Sequence, residues 1–136
     1  MDSTQRVIWI VHDGARILKV DLRSTVREEQ LSSLEAFAGA LAQSPDEKVD
    51  VLVLGDAGMD YFPDVSTRTK ALMAGLENKI RRSVLLGFSG ITRVAFDGFF
   101  NTARLMGQDV EERGRHYEAQ DMDSALQWLS TGALKA

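Results

Sequence analysis

Three groups of residues have types and spacings that could support chemistry, and the first is the stretch GFSGI at residues 87–91. Glycines flank a serine there, at the point where an apolar run passes into a helical pattern. The amide groups at such a helix start can bind an anion, and a serine on a tight turn can act as a nucleophile. The stretch could equally be the packing joint of an α/β turn.

The residues needed for the first two activities are incomplete. A Walker loop has a lysine after its last glycine, whereas Ile91 follows Gly90, and the dinucleotide fingerprint needs a third glycine. A nucleophile elbow has one more residue between its serine and its second glycine. We therefore expect a structural joint in which Gly87 allows strand and helix to pack closely and Ser89 or Thr92 caps the helix. An anion site on Ser89 and Gly90 is the alternative.

The second group is the two histidines, His12 and His116. Neither lies at metal-ligand spacing from another histidine or a carboxylate, so no metal site is expected. A catalytic triad would need both histidines to converge on Ser89 from distant elements. We expect surface histidines and no catalytic residue.

The third group is the acidic stretch DAGMDYFPD at residues 56–64. Its first aspartate, Asp56, directly follows an apolar run, and open α/β sheets bind ligands beyond the carboxyl ends of their strands. The acids do not follow the alternating ligand pattern of a calcium loop. We expect turn and capping roles, with a small-ligand site between Asp56–Gly58 and Ser89–Gly90 as an alternative.

The strands that would position these groups follow from the apolar pattern. Runs at 6–12 and 15–22 flank an Asp-Gly dipeptide, which is typical of a two-residue hairpin turn. Nearly continuous apolar runs at 49–55 and 83–88 indicate buried strands, and 115–119 has edge character. A mixed, mostly parallel five-stranded sheet with an N-terminal β-hairpin is therefore expected.

Helical patterns lie between these strands. A capping box of Thr25 and Glu28 predicts the start of the first helix, and Asp64 is expected to cap the second. The apolar stripe of the second helix would be Val65, Leu72, Leu76 and Ile80, and that of the last would be Met122, Ala125, Leu126 and Leu129. The predicted order is β-β-α-β-α-β-α-β-α, in one α/β domain over residues 1–136.

The predicted helix at 91–107 has an apolar arc that is wider than one core-facing stripe requires. It is either unusually buried or partly exposed as a surface for a protein partner or a second copy of the chain. The candidate partner-binding residues are Phe96, Phe99, Phe100 and Met106.

Composition narrows the class of protein. The chain has 136 residues, no cysteine and a net charge of −4. The absence of cysteine excludes disulfides and thiolate sites and fits a cytoplasmic protein. The negative charge is spread along the chain, so the sequence does not indicate a basic surface for nucleic acid. The N-terminal apolar run is too short for a membrane span. We expect no cofactor.

The chain resembles the STAS family, which includes SpoIIAA-like anti-sigma-factor antagonists, and especially its short stand-alone bacterial members. The stretches that carry the resemblance are ILKVDL, VDVLVLGDAG, SVLLGFSGITRVAFDGFFNTARLMG and YEAQDMDSALQWL. The resemblance implies a SpoIIAA-like α/β fold and a non-enzymatic binding or signalling role. Antagonists of this family are phosphorylated on a serine that follows an aspartate. Here Ala57 follows Asp56, so a phosphorylation switch would have to use Ser66 or Thr67.

A response-regulator receiver is a further alternative, because its phosphoacceptor aspartate ends the central strand as Asp56 would. Receivers place an acidic pair after the first strand and continue into a helix, whereas Asp13 and Gly14 predict a turn into a second strand. A lysine is also missing after the last predicted strand. We therefore expect a protein-binding or regulatory module, with small-ligand binding or phosphate acceptance on Asp56 as alternatives.

Overall fold

The computed structural model of the chain, described over residues 6–60, 62–90 and 114–134, begins with a β-hairpin. Strands β1 (Val7–His12) and β2 (Ala15–Asp21) pair antiparallel. Asp13 and Gly14 connect them with φ angles of 50° and 79°. This left-handed geometry matches the natural twist of the two strands, which explains the preference for Asp-Gly. The predicted hairpin is confirmed.

Three parallel strands extend the sheet from β2. They are β3 (Val49–Leu54), β4 (Ile80–Leu86) and β5 (Gly114–Tyr117). Their order across the sheet, β1-β2-β3-β4-β5, is the same as their order along the chain. The mixed, mostly parallel five-stranded sheet is therefore confirmed.

Helices cover both faces of this sheet. Helices α1 (Arg27–Gln43) and α2 (Pro63–Met73) contact each other, and α3 (Met122–Leu134) packs against strands β2, β3 and β4. No helix in the described ranges is long and apolar enough to cross a membrane. The predicted helix at 91–107 lies outside the described residues.

Alternation along the strands divides the buried side chains between the two faces. Val51 and Leu85 belong to the cluster that contains residues of α1 and α2, whereas Leu52 and Val84 belong to the cluster that contains residues of α3. All six residues of β3 are buried, as the continuous apolar run predicted. The inward residues predicted for α3 are also confirmed, because Ala125 and Leu129 are fully buried and Met122 and Leu126 pack beside them.

The predicted start of α1 is wrong. Val26 is the N-cap, and no side chain caps it. The hydroxyl of Ser24 takes the local role instead, since it accepts a hydrogen bond from the Val26 N–H at 2.9 Å and donates to Glu29 Oε2 at 2.8 Å. A serine–backbone turn therefore replaces the capping box of Thr25 and Glu28.

The limits of α2 also differ from the prediction. Phe62 is the N-cap in place of Asp64, because Pro63 has the fixed φ that suits the first helical position. The helix ends at Met73 and the chain turns at Gly75, whose φ is 82°. The predicted stripe is therefore too long, since its last two members lie beyond the helix and Ile80 begins β4.

A buried ion pair lies where the β3–β4 register shifts between Val49 and Asp50. The Asp50 side chain is 4% exposed, and both of its oxygens accept hydrogen bonds from Arg81, one of them from Nε at 3.0 Å. A carboxylate in the central strand would be costly if it were unpaired. The register shift lies at the position where the guanidinium of Arg81 pairs with the Asp50 carboxylate.

We predict that Asp50→Asn lowers the free energy of unfolding by about 2 kcal/mol, because it removes the charge from a buried, two-bond interaction. Asp46→Asn is the matched control, since Asp46 pairs with Arg16 at the surface and such pairs contribute under about 1 kcal/mol. Urea denaturation of both variants measures the difference. Equal losses would contradict the assigned role of Asp50.

Candidate functional site at the carboxyl ends of the strands

The carboxyl ends of the parallel strands form one continuous edge, and the segments that follow them are joined by backbone hydrogen bonds. Leu22 donates to the Leu54 carbonyl at 2.9 Å, and Gly55 donates to the Leu86 carbonyl at 2.8 Å. Gly87 in turn donates to a carbonyl of β5 at 2.9 Å. The first residue after each of β2, β3 and β4 is thus held against the neighbouring strand, so the loops begin from fixed positions.

Two glycines allow these segments to approach closely. Gly87 has a φ of 84°, and a Cβ at this position would lie 2.5 Å from the Gly55 carbonyl oxygen. A Cβ on Gly55 would in turn lie 2.9 Å from the ring of the buried Phe88. The GFSGI joint therefore serves close packing, as its glycine suggested, but the contact joins the ends of β3 and β4.

The loop that follows β3 (residues 55–60, the β3 loop) is fixed at both ends. Asp56 Oδ1 accepts a hydrogen bond from the Gly58 N–H at 2.9 Å, which closes a tight side-chain turn. At the far end, the amide of Gln30 donates to the Asp60 carbonyl at 2.9 Å. Ala57 is exposed between these two restraints. The tip of the loop therefore presents a small side chain and backbone groups.

Gln30 also connects this loop to the one that follows β2. Its side-chain amide donates to the Ser24 carbonyl at 2.9 Å, and the residue is only 4% exposed. Sequence reasoning missed this residue. Gln30 lies on the same helical stripe as Leu34 and Leu41, and a polar residue in an apolar stripe could have indicated a buried hydrogen-bonding role.

The side chain of Arg6 holds the carboxyl end of β2 by hydrogen bonds. The residue is 7% exposed and donates to the Asp21 carbonyl at 3.1 Å, the Arg23 carbonyl at 2.8 Å and Glu29 Oε2 at 3.3 Å. A buried guanidinium with several fixed acceptors specifies the path of the chain it contacts. Arg6 was also missed, because its partners are distant in the sequence and share no motif with it.

The charged side chains near the end of β2 shift each other's pKa values. Burial alone raises the pKa of Asp21, but hydrogen bonds from the side chain and N–H of Arg23, with the charges of Arg23 and Arg6, outweigh it and lower the pKa below its ordinary value. The hydrogen bond to Asp21 raises the pKa of Arg23, and the negative charge of Asp56 contributes in the same direction. Asp56 thus lies in the field of a cation.

The structure brings the predicted ligand-binding residues to one edge. Asp56 and Gly58 follow β3, and Ser89 and Gly90 are exposed after β4. The acceptor Oδ1 of Asp56 is already used within its own turn.

The phosphoacceptor candidates lie on α2. Ser66 is half-buried, whereas Thr67 is exposed and donates to the Pro63 carbonyl at 3.3 Å. The candidate partner-binding residues Phe96, Phe99, Phe100 and Met106 lie outside the described residues.

Two combinations that the sequence analysis disfavoured, the aspartate pair of a receiver and a histidine–serine triad, are not assembled. Asp13 and His12 lie at the hairpin turn, which is at the opposite end of β2 from Asp56 and Ser89. Asp13 and Asp56, which a receiver would use as a pair, therefore lie at opposite ends of the strands. His12 is likewise too far from Ser89 to form a triad with it. Within residues 6–60, 62–90 and 114–134, no three histidine or acidic residues are grouped so that they could hold a metal ion.

We predict that Gly87→Ala destabilises the fold more than Gly75→Ala. Both glycines have a φ near 80°, which costs an alanine about 1–2 kcal/mol. A Cβ on Gly75 would meet nothing within 4 Å, whereas one on Gly87 would collide with backbone. The excess should be at least about 1 kcal/mol, as for other overpacked sites. Thermal and chemical denaturation test this, and equal losses would refute the close approach.

We also predict a pH-dependent effect for Asp21→Asn. Because the folded-state pKa of Asp21 is below its ordinary value of 3.8, its ionised form stabilises the fold above that pH, and the contribution is lost as the pH falls further. The variant should be less stable than the parent at pH 7, and the difference should vanish in acid. Glu35→Gln, which changes an exposed carboxylate on α1, is the control. A difference that persists unchanged in acid would contradict the assignment.

The described edge thus combines fixed loops, one engaged aspartate and a set of arginine–carboxylate pairs. No protein-family model, no curated protein and no solved structure matches the chain.

Proposed function

We propose that the chain is a non-enzymatic, STAS-like module that acts by binding a protein partner through the β3 loop. The observation that carries the proposal is the restraint of this loop at both ends, by Asp56 on one side and Gln30 on the other. A loop that is ordered before binding loses little conformational entropy on association. The residue at its tip, Ala57, is exposed and offers surface for contact without a reactive side chain.

The arrangement of the described elements supports the STAS-like part of the proposal. The opening hairpin, the mostly parallel sheet and the helices that follow β2 and β3 agree with the fold that the resemblance implied. The stretch VDVLVLGDAG, which carries part of the resemblance, forms the central strand and the start of the β3 loop. A cytoplasmic location, suggested by the absence of cysteine, belongs to the same proposal.

Partner binding in this proposal is not switched by phosphate on the β3 loop. Ala57 stands where the resemblance would place a phosphorylated serine. Thr67 is exposed on α2, but Asp64 already supplies negative charge in the first turn of that helix. A phosphate on Thr67 would therefore meet a carboxylate as well as the favourable helix end.

A protein partner fits this edge better than a small anionic ligand. The carboxylate of Asp56 repels anions, and its Oδ1 is committed to the Gly58 N–H. Ser89 and Gly90 are exposed, whereas small-molecule sites usually bury most of the ligand. A protein surface needs no such enclosure.

Photo-crosslinking tests the proposal. A photoreactive amino acid at position 57 should give a discrete adduct with one protein in the native cell, because the loop tip would lie within the interface. The same group at Ala42 is the control, since Ala42 is exposed on α1 at the other end of the strands, where the carbonyl of the adjacent Leu41 accepts a hydrogen bond from Lys79 just before β4.

The isolated complex then provides a quantitative measurement. Ala57→Arg should raise the dissociation constant of the identified partner at least tenfold, about 1.4 kcal/mol, because a long charged side chain would obstruct a preformed contact. Ala42→Arg should leave it unchanged. Identical adducts at positions 57 and 42, or no adduct at position 57, would overturn the proposal.

A further inference from the structure

Strand β1 forms one edge of the sheet. It pairs with β2 on one side, and no described strand pairs with it on the other. An unpaired edge presents a row of backbone donors and acceptors that can extend the sheet.

The hairpin register identifies which backbone groups point outward from β1. In an antiparallel pair, directly opposite residues alternate between bonded and non-bonded pairs. The Arg6 carbonyl accepts from the Asp21 N–H at 2.7 Å, so this pair is a bonded one. Every second residue along the register is then in a non-bonded pair with β2. The N–H and C=O groups of these residues point away from β2, and the residues are Val7, Trp9 and Val11.

The edge lacks the features that usually prevent strand pairing. Its sequence, VIWIVH, contains no lysine, acidic residue or proline, and its register with β2 has no bulge. Val11 is 72% exposed and Ile8 is 40% exposed. The strand therefore offers both a hydrogen-bonding row and apolar side chains to an added strand.

We propose that β1 pairs antiparallel with β1 of a second copy, about a two-fold axis at Trp9. In this register Trp9 lies opposite the partner's Trp9, Val7 opposite the partner's Val11, and Ile8 opposite the partner's Ile10. Each of these pairs is apolar, and the next pair along the register is His12 opposite the partner's Arg6. The outward backbone groups of Val7, Trp9 and Val11 are then bonded on both strands.

The strand's own composition selects a second copy over a charged peptide. A lysine or glutamate of such a peptide would lie against an apolar residue of β1, whereas a copy of β1 places apolar residues opposite each other from residue 7 to residue 11. A two-fold axis also closes the assembly at two subunits. Five paired residues span about 17 Å, which is short for an interface, so the dimer is weak and forms reversibly.

This inference does not rest on the proposed function, because it concerns a different surface. The β3 loop remains free in such a dimer. A monomeric protein that still gives the position-57 adduct would overturn the dimer alone, and a dimer without that adduct would overturn partner binding alone.

Sedimentation velocity over a wide concentration range tests the proposal with two charge variants. The parent protein should show a concentration-dependent monomer–dimer equilibrium. Val11→Lys should raise the dimer dissociation constant at least tenfold, because each copy of the lysine would lie against Val7 of the other. Val26→Lys is the matched control: Val26 is an exposed valine, 44% exposed, that lies before α1 and off the edge, and it should behave like the parent.

Disulfide trapping tests the register independently, since the natural chain has no cysteine. Val7→Cys mixed with Val11→Cys should give a disulfide-linked heterodimer, because paired residues have Cα atoms about 5.5 Å apart. Neither variant alone should crosslink, since two copies of residue 7 would be about 14 Å apart. A parent that is monomeric at all concentrations, a Val11→Lys dimer of unchanged affinity, or equal crosslinking of the single variants would overturn the proposal.

Discussion

The complete burial of β3 is the constraint on which the rest of the molecule depends. A strand with parallel neighbours on both sides has to be covered on both faces, because its side chains alternate between them. Helices α1 and α2 cover one face and α3 covers the other. The strand's one carboxylate, Asp50, is tolerated because Arg81 is placed beside it at the register shift.

The candidate site takes its rigidity from this strand. The β3 loop starts from a residue that is bonded to β4, and a glycine on each side lets the two segments touch. Two buried polar side chains then hold the loops by hydrogen bonds. Gln30 joins the loop after β2 to the β3 loop, and Arg6 binds the backbone at the end of β2. Such side chains have to be fully bonded when they are buried, so they specify one arrangement of the loops.

Features that depend on a few adjacent residues could be predicted from the sequence, and features that depend on distant partners could not. The Asp13–Gly14 hairpin and the buried central strand are of the first kind. Helix ends were less predictable, because Ser24 competes with Thr25 as a hydrogen-bonding side chain. The role of Gln30 depends on carbonyls in two loops, one of which is thirty residues away. The alignment of Asp56 with Ser89 at one edge followed from strand direction alone.

A sheet whose strand order equals its chain order has a consequence for how the protein is made. Each strand pairs with a strand that is next to it along the chain, so the sheet can grow from its amino end as the polypeptide leaves the ribosome. Each parallel pairing still requires the closure of a connection of roughly thirty residues. Helix α3 is the exception, since Ser130 donates to the His12 carbonyl at 3.0 Å. The apolar surface that α3 covers is therefore not covered by α3 until this helix has been synthesised, and exposed apolar surface of this kind favours aggregation during folding.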